Sequence, residues 1–208
     1  LRTAVALATT YDGLGNKAAT QYTYGPANQA GAEWGVVSDD GSFLGYMEAD
    51  VTHYDTVSAS STGLGGQLQY ERLFSYTDGA GEARDNPDPR AGRQRRRQVW
   101  ANQTAASGPA LLTEETVVQA YWWENGGWNE ATPVTTSWKM VNNDAVYPGA
   151  WIREEQRTTT QVDGSNTIVA SQVYSYAVAQ QNNSQYGNRT HVLELADGQL
   201  QRTTVTEY

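Results

Sequence analysis

The most informative absence in this 208-residue sequence is cysteine, which does not occur at all. The chain therefore forms no disulfide framework and offers neither a thiol nucleophile nor a thiolate ligand for a metal. Long apolar runs are absent too, because no stretch approaches the roughly 20 consecutive apolar residues that a membrane-spanning helix requires. We therefore expect no membrane span.

Charged residues are scarce, at 18% of the chain, and acidic residues exceed basic ones so that the net charge is −9. A protein with this charge repels a phosphate backbone over most of its surface. Signatures of cofactor sites are missing as well, since the sequence has no phosphate-binding loop, no dinucleotide fingerprint and no zinc-ligand spacing. We expect no nucleic-acid partner and no cofactor.

The abundant residues are strand formers and turn formers. The chain has 13 tyrosines, seven tryptophans and 20 glycines, together with many threonines, valines and glutamines. Segments such as KAATQYTY (17–24), TIVASQVYSY (167–176) and QRTTVTEY (201–208) follow the period of two that is typical of strands and lack helical periodicity. The sequence predicts an all-β fold.

Turn signals separate these segments. In YDGLGN (11–16), an aspartate and an asparagine flank glycines, an arrangement in which a carboxylate caps backbone amides and glycine supplies positive φ. Asp163-Gly164 and Asp197-Gly198 each lie between two alternating runs, which is the strongest short signal for a β-hairpin. The fold is therefore predicted to be a succession of antiparallel hairpins that form a twisted ribbon. The residues assigned to turns are Asp12, Gly13, Gly15, Asn16, Asp163, Gly164, Gly187, Asn188, Asp197 and Gly198.

The acidic residues and histidines form no recognisable catalytic or metal-binding pattern. The pairs Glu114-Glu115 and Glu154-Glu155 lie on predicted strands, where neighbouring side chains point to opposite faces and cannot act together on one bond. His53 and His191 are not spaced as metal ligands and do not accompany a nucleophile motif. We predict no catalytic and no metal-binding residues. An enzyme whose carboxylates come from distant strands stays open as an alternative.

The basic run RQRRRQ (93–98) concentrates four arginines. Three interpretations are open: contact with an anionic partner, a proteolytic processing site, or charges that guard a strand against aggregation. On a strand, Arg95 and Arg97 share one face and Arg96 takes the other. This alternation favours an exposed or edge strand.

Aromatic residues crowd around a glycine-rich tip in YWWENGGWN (121–129). Trp122, Trp123 and Trp128 are the candidate ligand platform there, because aromatic rings near loops can stack on sugars. Cross-strand aromatic pairs that fix the register of a hairpin produce the same sequence. The packing interpretation is favoured, and a carbohydrate-binding or adhesion module stays open.

Tyrosine, aspartate, glycine and asparagine recur in a common order at both ends of the chain. TTYDGLGNKAATQYTY (9–24) and SQYGNRTHVLELADGQLQRTTVTEY (184–208) resemble the tyrosine-aspartate repeats, or YD repeats, of RHS proteins, insecticidal toxin-complex proteins and teneurin-like adhesion proteins. In that pattern, Tyr-Asp-x-x-Gly-Asn precedes an alternating strand, a turn and a closing tyrosine, and the second unit here lacks the aspartate of the pair. The matching residues are Tyr11, Asp12, Gly15, Asn16 and Tyr22 in the first unit and Tyr186, Gly187, Asn188, Asp197, Gly198 and Tyr208 in the second.

The resemblance implies a β-sheet strip that spirals into a hollow shell, enclosing a toxin domain in some members and forming an extracellular barrel in others. A single hairpin is too small to bury a face of its own, so it must join its neighbours in a continuous sheet. The segment DNPDPRAG (85–92) lacks the Gly-Leu of the family's self-cleavage region, so no catalytic residue is transferred. The strand aromatics assigned to packing are Tyr11, Tyr22, Tyr24, Tyr174, Tyr176, Tyr186 and Tyr208.

Residues 1–208 are predicted to be a single β-rich segment of a longer chain, because both ends lie in predicted strands whose edges would be unpaired. The expected role is structural and non-enzymatic, as part of a shell or scaffold. The expected partners are flanking repeats or neighbouring copies, with a toxin cargo or a surface glycan as further candidates. The expected location is secreted or at the cell surface. A self-assembling β-subunit stays open as a further alternative.

Overall fold

The computed structural model describes residues 7–14, 17–24, 35–37, 43–46, 48–57, 64–76, 90, 92–124, 127–130, 133–134, 137–138, 151–176 and 189–206. Most of these residues lie in strands, and one short 3₁₀ turn covers Thr104–Ser107. The strands are β1 (Leu7–Tyr11), β2 (Lys17–Tyr24), β3 (Gly35–Val37), β4 (Phe43–Tyr46), β5 (Glu48–Val57), β6 (Leu64–Ser75), β7 (Gln94–Trp100), β8 (Leu112–Glu124), β9 (Gly127–Glu130), β10 (Pro133–Val134), β11 (Ser137–Trp138), β12 (Trp151–Asp163), β13 (Asn166–Tyr176), β14 (Arg189–Ala196) and β15 (Gln199–Val205).

One antiparallel sheet contains 11 of these strands. Its order is β1-β2-β5-β6-β7-β8-β12-β13-β14-β15, and β9 pairs with β8. The strands along this path follow one another in chain order, which is the topology of successive hairpins. The pairs β3-β4 and β10-β11 form separate two-stranded sheets. The prediction of an all-β fold built from successive antiparallel hairpins is therefore confirmed.

The large sheet does not close on itself within the described part of the chain. There, β1 pairs only with β2, and β15 pairs only with β14. Every residue of β15 is exposed, and so are four of the five residues of β1. The sheet therefore presents a row of unpaired backbone donors and acceptors at each edge.

Among the described residues, the buried apolar side chains are mostly alanine and valine, and the three larger ones are Tyr70, Trp100 and Tyr174. Tyr70 on β6 is 1% exposed, and its ring centroid lies 5.8 Å from that of Trp100 on β7. The indole Nε1 of Trp100 donates to the carbonyl of Gly108 at 3.0 Å and fixes the loop that follows β7. Several large apolar side chains of the last strands stay exposed, namely Ile168, Leu200 and Val205.

The arginine-rich strand β7 is an interior strand, so the prediction of an edge strand for 93–98 is wrong, whereas the side chains of Arg93, Gln94 and Arg95 are exposed, as the alternative of an exposed strand predicts. It pairs with β6 on one side and with β8 on the other. The position of a strand in a sheet is set by its pairing with distant residues, whereas the charge pattern reports only the local sequence. Residues 96–99 of β7 pair with a strand on both sides, which makes this part of the run a poor substrate for a protease in the folded protein.

Side chains complete the hydrogen bonding of β8 where β7 no longer accompanies it. The pairing with β7 begins at Glu115 and runs towards the start of β8. Beyond it, the Tyr76 hydroxyl accepts from the amide of Val118 and donates to the carbonyl of Thr116, each at 3.0 Å. Arg90 donates from Nη1 to the carbonyl of Val118 at 3.3 Å. Two side chains thus take the place of a neighbouring strand.

Candidate functional site

Two groups of predicted turn residues lie at hairpin connections of the large sheet. Between β1 and β2, Asp12 Oδ1 accepts a hydrogen bond from the amide of Leu14 at 2.7 Å, and Gly13 has a φ of 79°. Between β14 and β15, Asp197 and Gly198 form the two-residue turn with φ values of 48° and 76°. Positive φ at both positions is the requirement of a type I′ turn.

The turn between β12 and β13 lies one residue later than the sequence suggests. Asp163 is the last residue of β12 and pairs with Asn166, so Gly164 and Ser165 form the turn. Gly164 has a φ of 59°, and positive φ at the first turn position is what a type II′ turn requires. The remaining predicted turn residues, Gly15, Asn16, Gly187 and Asn188, lie outside the described residues.

The tryptophans of the candidate ligand platform lie on a hairpin. Trp122 and Trp123 are on β8 and Trp128 is on β9. Trp123 pairs directly with Trp128, and Trp122 pairs with Asn129. Their side chains lie outside the described part of the structure. The platform itself therefore stays a prediction.

A chain of polar side chains crosses five neighbouring strands. Thr20 Oγ1 on β2 lies 3.2 Å from Nδ1 of His53 on β5, and the imidazole Nε2 lies 3.1 Å from Oε1 of Glu71 on β6. On β7, Arg97 donates from Nε to Glu71 Oε2 at 2.7 Å and from Nη1 to Glu114 Oε2 on β8 at 2.9 Å. Each of these contacts joins one strand to the next. The five side chains, which we call the polar network, therefore link β2, β5, β6, β7 and β8.

Glu71 is the central residue of the polar network, and its side chain is only 10% exposed. Burial raises the pKa of this carboxyl, but the hydrogen bonds and charge of Arg97, with a contribution from His53, outweigh burial and hold the pKa below its usual value. Gln69 Nε2 also donates to Glu71 Oε1 at 2.5 Å. The carboxylate is therefore ionised at neutral pH, and both of its oxygens accept hydrogen bonds.

Thr20, His53 and Glu71 follow the order of hydroxyl, imidazole and carboxylate that hydrolases use for nucleophile, base and orienting acid. Here the carboxylate also binds Arg97, and Thr20 is the direct cross-strand partner of His53. None of the three lines the cleft described below. Hydrogen bonds between side chains of paired strands stabilise a sheet. In this structure the three side chains link β2, β5 and β6 to one another.

A second polar cluster occupies the opposite face of β5 and β6. Arg72 donates from Nε to Asp50 Oδ1 at 2.8 Å, contacts Glu48 Oε1 at 3.2 Å and donates from Nη2 to the Tyr70 hydroxyl at 3.0 Å. Burial, together with the nearby Asp50, raises the pKa of Tyr70 to about 12. The hydrogen bond to Asp50 raises the pKa of Arg72. Both faces of the sheet centre thus carry paired charges.

Strands β8 and β12 contain a further cluster with the same chemistry. The Tyr121 hydroxyl donates to Glu155 Oε1 at 2.7 Å, and Arg153 donates from Nε to the same oxygen at 2.5 Å. The Arg153 guanidinium lies 3.7 Å from the Tyr121 ring centroid. Burial, followed by the hydrogen bond to Glu155, raises the pKa of Tyr121 to about 12. Two more ion pairs join Arg157 to Glu154 and Arg202 to Glu194.

An open cleft of about 440 Å³ lies where β8 and β12 continue past the start of β7. Val118 and Ile152 contribute apolar surface to it, and Arg93, Arg153, Glu154 and Arg157 contribute charge. Arg157 donates to both carboxylate oxygens of Glu154, at 3.0 and 3.1 Å. Two of these four charges, those of Arg157 and Glu154, therefore neutralise each other.

Neither a metal centre nor a membrane-crossing helix is found in the part of the chain that the structure describes. No three histidine, aspartate or glutamate side chains there are grouped so that they could hold an ion. No helix in these residues has the length and apolar character needed to cross a bilayer.

Sequence reasoning assigns His53 neither a metal-binding nor a catalytic role and does not reveal the polar network. Its links join residues that are between 17 and 33 positions apart, such as Arg97 with Glu114 and Thr20 with His53. The one signal in the sequence is the succession of an arginine run at 93–98 and an acidic pair soon after it. Opposite charges on consecutive predicted strands favour cross-strand pairing.

Comparison with solved structures finds the fold of this chain in crystal structures of TcdB2-TccC3. One such structure gives a TM-score of 0.52 at 12% identity and covers 93% of this chain. TcdB2-TccC3 without its hypervariable C-terminal region gives 0.51 at 12% identity and 93% coverage, and TcdB2-TccC3-Cdc42 gives 0.51 at 11% identity and 86% coverage.

The similarity extends over only a small part of those larger chains. The matched region is 10% of the chain in the first two structures and 9% in the third. No protein-family model matches this chain, and neither does any curated protein. The chain thus has the fold of a short section of the TcdB2-TccC3 chains.

Proposed function

We propose that this chain is a non-enzymatic structural segment of a much larger β-sheet shell. The observation that carries the proposal is an open sheet whose strands follow one another in chain order and whose two edges, β1 and β15, are unpaired in the described residues. Such a sheet extends at either edge by further hairpins without any rearrangement. The fold shared with 9% or 10% of the TcdB2-TccC3 chains supports a role as one section of a wall.

The sequence supports the same proposal and adds finer detail. The YD-repeat resemblance at 9–24 and 184–208 is that of RHS and toxin-complex shells. We infer that the complete shell encloses or displays a toxin or adhesion domain and that it is secreted or at the cell surface. In this role the turn residues Asp12, Asp197 and Gly198 shape the hairpins, and flanking repeats of the same polypeptide pair with the two edges.

The side chains of the large sheet suit a structural wall better than a ligand-binding pocket. A single sheet buries few large apolar residues, so its strands need other contacts to hold them in register. The polar network supplies these contacts across five strands, and the cluster around Arg72 supplies them on the other face of β5 and β6. Paired, hydrogen-bonded charges also keep an exposed face soluble.

A self-assembling β-subunit is the alternative that the unpaired edges also support, because copies of the chain could extend one another. The mass of the native particle separates the two. The shell proposal predicts a single polypeptide many times heavier than the 22.8 kDa of this segment. A particle built of 22.8 kDa subunits indicates self-assembly, and a stable 22.8 kDa monomer contradicts the shell.

Assays of glycan binding and of polysaccharide hydrolysis test the glycan-binding and enzymatic alternatives. The native polypeptide is screened against immobilised glycans and soluble polysaccharides, beside a variant with Trp122, Trp123 and Trp128 replaced by alanine. The shell proposal predicts no hydrolysis and no binding that the triple replacement removes. Glycan binding that disappears in the variant supports the adhesion module. Polysaccharide cleavage by the purified protein supports the enzyme.

A further inference from the structure

The arginines of the basic run have two different surroundings. Arg97 forms ion pairs with Glu71 and Glu114. Arg95 and Arg96, which precede it, form no ion pair with any residue that the structure describes. In a chain whose net charge is −9, two neighbouring unpaired guanidinium groups are a marked local exception.

A β-bulge brings these two arginines to the same aromatic ring. The register of β6 with β7 shifts between the pairs Phe74↔Arg96 and Ser75↔Gln94, so Arg95 is the extra residue. The guanidinium carbon of Arg96 lies 4.2 Å from the Phe74 ring centroid, and that of Arg95 lies 5.8 Å from it. Simple alternation predicts opposite faces for the two side chains, and the bulge overrides it.

The cluster lacks a hydrogen-bond acceptor. Arg96 Nε is buried and has no hydrogen-bond partner among the described residues. A buried N–H without an acceptor is destabilising, and so are two like charges beside one ring. Contact with the face of Phe74 offsets part of this cost, but a phenyl ring accepts no strong hydrogen bond.

The nearest carboxylate by register does not supply the acceptor. Glu115 on β8 is the cross-strand partner of Arg96, yet the two form no ion pair, and the Glu115 side chain is exposed. Glu115 therefore lies beside the cluster as a negative charge that weakens the attraction of another anion. Replacing Glu115 by a neutral residue should therefore strengthen the binding of an anion to the two arginines.

We propose that Arg95, Arg96 and Phe74 form a docking site for a carboxylate on an acidic polypeptide segment. A guanidinium presents paired N–H donors in a planar fork that matches the two oxygens of a carboxylate. The site holds only two guanidinium groups, which suits one or two acidic side chains. A long polyanion is disfavoured by the negative charge of the rest of the chain. The proposal does not depend on the shell role.

The test is an NMR titration that follows the arginine Nε–H signals of the isotope-labelled chain. The probe is a short peptide with two adjacent glutamates, and the control is the same peptide with glutamines in their place. Arg96→Lys identifies the Arg96 signal by its loss. We expect the glutamate peptide to shift this signal and the glutamine peptide to leave it unchanged.

The affinity of three variants for the glutamate peptide tests the site further. Arg95→Gln changes an exposed side chain, so the fold is retained, and the affinity for the glutamate peptide should fall at least about tenfold because a charged hydrogen-bond donor is lost. Glu115→Gln should increase the affinity. Arg202→Gln, at a distant exposed ion pair on β15, should leave it unchanged.

The proposal is overturned if the glutamine peptide shifts the Arg96 signal equally, or if Arg95→Gln binds the glutamate peptide as tightly as the unaltered chain does. It is also overturned if a sulfated oligosaccharide or an oligonucleotide moves the same signal at lower concentration than the glutamate peptide. That last outcome would assign the cluster to a polyanion.

Discussion

Arg97 binds both carboxylate oxygens of Glu71 across the boundary between β7 and β6. Its Nε lies 2.7 Å from Oε2, and its Nη2 lies 3.0 Å from Oε1. This bidentate pair lies at the centre of the polar network, because Glu71 continues to His53 and Arg97 continues to Glu114. The stability of the sheet centre should therefore depend on this pair more than on any exposed ion pair of the outer strands.

Replacing Arg97 by alanine should lower the free energy of unfolding by about 2 kcal/mol, because the largely buried Glu71 carboxylate loses its charged donors. Urea unfolding followed by tryptophan fluorescence measures the change. Arg202→Ala, which removes an exposed ion pair with Glu194, is the matched control and should have no measurable effect. An equal loss in both variants would contradict the central role of the network.

Acid should weaken the fold in part through Glu71. Its pKa is lower in the folded protein than the usual value, so its contribution to stability is complete above about pH 4.3 and is lost as the pH falls through the folded-state value. Glu71→Gln has no such titration. Unfolding curves at several pH values should show the two proteins converging in acid. A constant difference between pH 7 and pH 3 would disprove the assignment.

Gly198 should not tolerate a side chain, although there is space for one. Its φ is 76°, and nothing lies within 4 Å of the position that a Cβ would take, so the penalty comes from the backbone alone. Gly198→Val should destabilise the chain by about 1 to 2 kcal/mol, as should Gly164→Val at a φ of 59°.

The glycine control is Gly65 on β6, which has no positive φ and would place a Cβ 3.9 Å from Thr56 Cβ. Gly65→Ala should leave the melting temperature close to that of the unaltered chain. Unchanged melting of the Gly198 and Gly164 variants would refute the primed turns at these positions.

The hydroxyl of Tyr76 should protect the stretch of β8 that β7 does not accompany. Tyr76→Phe removes both hydrogen bonds and leaves the Val118 amide and the Thr116 carbonyl without this partner, at a cost of about 1 to 3 kcal/mol. Hydrogen exchange at the Val118 amide should accelerate. Tyr54→Phe, which removes an exposed 3.3 Å hydrogen bond to Gln21, is the control. Exchange that accelerates equally in both variants would rule out the role of Tyr76.

Local sequence pattern predicts the strands and several turns well, because alternation and turn chemistry involve residues that are close in the chain. The segment 17–24 coincides with β2, and 167–176 differs from β13 by one residue. The same pattern misplaces the turn after Asp163 by one residue, since both Asp-Gly and Gly-Ser are compatible with tight hairpins and the strand register decides between them.

Pairings between distant residues are what the sequence does not reveal. In the interior strand β7, Arg97 binds Glu71 and Glu114 on the two neighbouring strands, which lie 26 and 17 positions away in the chain. The joint contact of Arg95 and Arg96 with Phe74 depends on a bulge whose position no turn residue marks. A charged run therefore predicts an edge strand when the charges of the neighbouring strands are not taken into account.

Hydrogen exchange at β15 in the complete native polypeptide tests the central claim most directly. In the isolated 208-residue chain, the β15 amides that face away from β14 have no strand partner and should exchange quickly. If the chain is one section of a continuous shell wall, these amides should be protected in the native polypeptide as strongly as those of the interior strand β13. Exchange as fast in the native polypeptide as in the isolated chain would show that β15 is a true edge and would contradict the shell.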